Sequence, residues 1–74
     1  MKLSETRRSR LLSMRALAAK SGVSLKTINN IEMRHITPHL STVAKLCEAL
    51  GVDPMEVDEF RDAIRGKELA LASV

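Results

Sequence analysis

Apolar residues along the chain fall in short clusters at helical spacing, separated by serine, glycine and proline. Residues 3–11 predict a first helix, with Leu3 and Leu11 apolar and Arg7, Arg8 and Arg10 crowding its later turns. Ser13 suits the N-cap of a second, Met14 to Ser21, in which Leu17 and Ala18 form a narrow apolar stripe. Gly22 then ends it in the left-handed conformation that glycine adopts freely. Ser24 is a further N-cap, opening a helix from Leu25 to Met33 that turns Ile28 and Ile31 inward. Residues 34–40 form a connection, and Pro38 biases Thr37 away from helix. Ser41 is the expected cap of a fourth helix reaching Leu50, with Val43, Leu46, Cys47 and Leu50 inside and Gly51 as its stop. Asp53, with Pro54 at the favoured first position, begins a fifth helix whose inner face is Val57, Phe60, Ile64 and Leu69. Gly66 is its expected end. Residues 1–66 would then form one domain, with 67–74 a tail that is either disordered or dimer-forming.

Composition narrows the class. A chain of 74 residues has room for one small domain, and 45% apolar with 28% charged residues is ordinary for a globular one. Phe60 is the sole aromatic residue. That disfavours a sheet built on aromatic pairs and excludes base-stacking surfaces that need several rings. Three glycines and two prolines are too few for a turn-rich β domain. The fold class is all-α, a compact unit of five helices.

A single cysteine, Cys47, excludes an internal disulfide and suits a reducing cytoplasm. The first residues lack the apolar core of a secretory signal, and no stretch is long enough to span a bilayer. No membrane partner is expected.

Charge is segregated. Residues 1–35 hold eight Lys/Arg against Glu5 and Glu32, a net of +6, while residues 36–74 hold four against seven acids, a net of −3. One half of the chain attracts polyanions. That half also holds two short helices joined by about three residues around Gly22, the helix-turn-helix arrangement, which spans residues 14–33. Ala18 is small where the two helices cross closely. The outward positions of Leu25–Met33 are Leu25, Lys26, Asn29, Asn30 and Met33, a mainly polar face of the kind that enters a major groove. The bland alternative for each is a solvated helix surface.

From Leu12 to Val52 the sequence resembles the DNA-binding domains of phage Cro and repressor proteins, the Xre-like helix-turn-helix family. The matching residues are Leu12, Ser13, Leu17, Ala18, Gly22, Val23, Ser24, Thr27, Ile28, Ile31 and Glu32, continuing through Pro38, Leu40, Val43, Leu46, Ala49, Leu50, Gly51 and Val52 without gaps. The resemblance implies a lambda-repressor-like fold with base contacts from Ser24, Leu25, Lys26, Asn29 and Asn30. Lysine suits guanine O6/N7, asparagine suits adenine N6/N7, and Leu25 suits a thymine methyl. It implies phosphate contacts from Arg7, Thr27, Arg34 and the start of helix two at Ser13, Met14 and Arg15. Structural roles fall to Ala18, Gly22, Ile28, Ile31 and Glu32, with Arg7 and Glu32 matching a pair that joins helix one to the recognition helix.

Three positions depart from the family pattern. Met14 stands where glutamine is usual, removing a polar contact of about 1 kcal/mol. Arg34 replaces a glycine after the recognition helix, which implies a strained or reshaped left-handed turn at a cost near ~1 kcal/mol. Leu11 replaces another glycine and, with Leu12 and Met14, offers apolar surface to a partner.

Other chemistry is weakly represented. His35, His39 and Cys47 are residue types that bind metal, but Pro38 breaks the helix that would align the histidines and no fourth ligand has fitting spacing. Phosphate loops and nucleophile motifs are missing from the sequence, and neither a cofactor, a small-molecule ligand nor an enzymatic activity is expected. The expected function is that of a small cytoplasmic regulator from a bacterium or phage. It would bind double-stranded DNA as a homodimer, repress by occluding a promoter, and dimerise through Val57, Phe60, Ile64 and Leu69. The alternative is a protein-binding role, antitoxin-like or as an adaptor on the same scaffold.

Overall fold

The computed structural model describes residues 1–72, with side chains described for residues 1–66. Five α-helices follow one another: α1 (Leu3–Ser9), α2 (Met14–Ser21), α3 (Leu25–Arg34), α4 (Leu40–Leu50) and α5 (Asp58–Ala72). A 3-10 turn at Pro54–Glu56 precedes α5, and no strand occurs among the described residues. Every helix contributes to one core. Leu3, Leu17, Ile28, Ile31, Leu46 and Phe60 are its fully buried large side chains, joined by Val57 from the segment before α5. Each such side chain contributes roughly 1.5–3 kcal/mol by leaving water.

Local chemistry sets most of the boundaries. The Ser13 hydroxyl accepts from the Ala16 amide at 3.0 Å, and the Ser24 hydroxyl from the Thr27 amide at 3.1 Å, so both serines cap the helices they precede. Gly22 and Gly51 take φ values of +76° and +68° and end α2 and α4. At Gly22 an added Cβ would meet nothing within 4 Å. The requirement there is the backbone angle, not space.

Five boundaries differ from expectation. Helix α1 stops at Ser9, because the Leu11 and Leu12 amides turn back to the Arg8 and Arg7 carbonyls with Leu11 at φ 58°. The left-handed turn after α3 falls on His35, at φ 55°, while Arg34 keeps helical geometry as the last residue. Helix α4 begins at Leu40, since the Val43 amide takes the His39 carbonyl at 3.0 Å; Ser41 is inside the first turn, and His39 occupies the cap position without a side-chain bond.

The fourth difference lies before α5. Asp53 does form a capping box with Glu56, but around the 3-10 turn. Val57 then adopts extended backbone, which drives its side chain into the core, and α5 starts at Asp58. Gly66 does not end α5, so the boundary expected at 66/67 falls inside a helix.

The beginnings of α1 and α5 are joined. The Asp58 amide donates to the Met1 carbonyl at 2.8 Å, and the Leu3 amide donates to Glu59 Oε1 at 2.8 Å. At the other end of α1, Arg10 Nε donates to the Leu50 carbonyl at 3.1 Å and so caps α4.

Candidate nucleic-acid interface

Helix α2 packs on α3, the half-buried Ala18 lies against the core, and Ile28 and Ile31, 0% and 1% exposed, seat α3 there. That leaves Leu25, Lys26, Asn29, Met33 and Arg34 on the open side, with Thr27 and Asn30 half-buried at its edge. Lys26, Asn29 and Asn30 therefore share one face of a ten-residue helix. The exposed Ser13 and Arg15 stand at the start of α2, where free amides and the helix dipole favour an anion.

Three expected contact residues make contacts within the domain. Arg7 donates from Nε and a terminal nitrogen to the two oxygens of Glu32, each at 2.9 Å, and from its other terminal nitrogen to the Leu12 carbonyl at 2.8 Å. The two side chains are 7% and 1% exposed. Bonding to Glu32 raises the guanidinium pKa above its ordinary value, against the opposing effect of burial. Arg7 is thus a brace between α1 and the last turns of α3, the pairing with Glu32 that the resemblance implies.

Ser24 caps α3, where its hydroxyl also donates to Thr27 Oγ1 at 2.8 Å, and so orders the start of the helix. Met14 packs half-buried against the core, leaving its backbone amide as its means of meeting a phosphate.

The expected dimer residues separate as well. Val57 and Phe60 are 0% exposed and belong to the interior, which excludes them as a partner surface. Ile64 is half-buried, and Leu69 and Leu71 lie outside the residues whose side chains are described. Of the apolar patch expected around helix two, Leu11 is open at 94% exposure. Two structural contacts have no counterpart in the sequence pattern: Arg10 binds α4, and Glu59 holds the start of α1. Neither had a local sequence signal, because each partner lies about forty or more positions away. Among the described residues no group of three or more His, Cys, Asp or Glu side chains stands together as a metal site would require.

A capped helix, a glycine turn and a second capped helix presenting an open polar face define a small all-α domain of the helix-turn-helix class. A family model described as Helix-turn-helix matches residues 3–57, from the first residue of α1 through the turn before α5. The chain belongs to that family, in its Cro and Xre-type form, a family of DNA-binding transcription regulators. No curated protein and no solved structure matches it. No helix among the described residues is long and apolar enough to cross a membrane.

Proposed function

We propose that this chain is a sequence-specific, double-stranded-DNA-binding repressor that acts in the cytoplasm of a bacterium or phage host. The observation that carries the reading is the open face of α3. Lys26, Asn29 and Asn30 stand together on a helix held from behind by Ile28 and Ile31 and from its last turns by the Arg7–Glu32 pair. Helix α3 enters the major groove, Lys26 and the asparagines address base edges, and Ser13, Arg15, Thr27 and Arg34 address phosphates. Two copies occupy half-sites roughly 10 bp apart, and bound protein occludes the promoter.

Selection from a randomised duplex library at about 150 mM salt tests this, because nonspecific counterion-driven binding is suppressed there. A palindromic consensus is the expected result; recovery of no sequence above background overturns it. The 94% exposure of Leu11 favours a second reading, a protein partner docked beside α2. Its mark would be association that is flat with salt. Binding that neutralises five or six phosphates falls with a log–log slope near about −5.

A further inference from the structure

The composition of the open face of α3 points to the kind of duplex it fits. At about 100° per residue, Leu25, Asn29 and Met33 make one row along the helix, and Lys26, Asn30 and Arg34 make the next. Leu25 is 38% and Met33 65% exposed, so the first row is apolar at both ends with an amide between. Met33 is not core, since the buried side of α3 is already filled by Ile28 and Ile31.

This face lies in the half of the chain that carries a net +6, so its complement is a polyanion. A major groove displays one apolar group at its base edges, the thymine C5-methyl. Asparagine pairs with adenine, and the one arginine of the two rows, Arg34 at the C-terminal end of the second, is given to a phosphate above. Lys26 is then the side chain left for guanine.

We propose that α3 reads an A·T-rich half-site, with Leu25 and Met33 each packed on a thymine methyl, adenines contacted between them by Asn29 and Asn30, and Met33 a specificity-determining residue. The proposal rests on the DNA-binding reading given above. Leu25 and Met33 are eight positions apart, about 12 Å along the helix, which corresponds to roughly three to four base-pair steps of ~3.4 Å. The unbranched, polarisable methionine side chain adapts to the longer reach at the helix end.

The test uses the full chain and the sequence it selects. Each thymine of that site is replaced singly by deoxyuridine, which removes the methyl group and leaves the pairing edge intact, and affinity is read by fluorescence anisotropy. The consensus is expected to be A·T-rich, and two positions per half-site, three or four pairs apart, should each weaken binding about fourfold on losing the methyl. Met33→Ala should abolish sensitivity at one of them and keep the other, Leu25→Ala should do the reverse, and Met33→Leu should retain both. Met33 is exposed, so Met33→Ala should keep the native circular dichroism and urea midpoint.

A G·C-rich consensus, indifference to deoxyuridine, or a Met33→Ala variant with both sensitivities intact overturns the inference while the DNA-binding reading stands. If the unaltered chain selects no sequence, the DNA-binding reading falls and takes this inference with it.

Discussion

Arg7 and Glu32, 25 positions apart, meet through two parallel 2.9 Å bonds in a nearly solvent-free contact between α1 and α3. A buried ion pair is costly to break from one side, because the remaining charge stays desolvated. Glu32→Ala should therefore lower unfolding free energy by about 3–5 kcal/mol. Replacing both partners together, as in Arg7→Met with Glu32→Leu, should cost clearly less than the sum of the singles. Urea titration of the four proteins measures this, and a Glu32→Ala loss below about 1 kcal/mol, the range of an exposed pair, would contradict it.

Leu11 combines φ 58° with 94% exposure, so its side chain gains almost no burial in return for a left-handed backbone. Leu11→Gly should stabilise the domain by about 0.5–1 kcal/mol, the relief of backbone strain outweighing the greater freedom of the unfolded chain. At Gly22, with φ +76° and open space around the missing Cβ, alanine should do the opposite by about 1 kcal/mol. Thermal unfolding of both variants decides the matter; equal shifts in the same direction would not fit.

On DNA, Arg15 and Lys26 should separate by kind of effect. Arg15→Ala should weaken binding to all sequences alike and reduce the salt slope by about 1. Lys26→Ala should relax preference at one base pair and cost about 1–3 kcal/mol on the selected site. Salt titrations with the selected and a scrambled duplex read both. A uniform loss for Lys26→Ala would reassign it to a phosphate.

Burial pushes the Cys47 thiol above its ordinary pKa, with the charges of Asp53 and Glu56 adding in the same direction. A thiol raised on folding favours the folded state while it is protonated. That contribution is complete below the unfolded thiol's pKa, about 8.5, and is lost as pH rises through the higher folded value. Ellman's reagent should label native Cys47 slowly and denatured Cys47 at once, and the urea midpoint should fall as pH is raised through this alkaline range. Immediate labelling of the native protein would show the thiol to be open.

The α2–α3 unit was legible in the sequence because its signals are local. Ser13 and Ser24 cap within three residues, Gly22 supplies the turn, and Ile28 and Ile31 share a face by period alone. The same reasoning misplaced Ser41, since the start of α4 is decided by the His39 carbonyl and the buried Pro38 rather than by the best capping side chain. Phe60 and Val57 were assigned to a partner because an apolar face does not reveal what covers it, and this small core needs both. Arg10 and Glu59 were opaque for a different reason: a long-range bond to a backbone group leaves no pattern around either residue. The family pattern points to Glu32 as the partner of Arg7 but not to the burial of the pair, which depends on how α1 packs against α3.

Helix α1 is seven residues long, about 10 Å of rigid backbone. Its first amide is held by Glu59 of α5, and its arginine grips Glu32 in α3. It works as a short strut from the acidic end of the molecule to the recognition helix. Loosening either anchor, at Glu59 or at Glu32, would therefore loosen the other, so the start of α5 and the last turns of α3 are mechanically one unit.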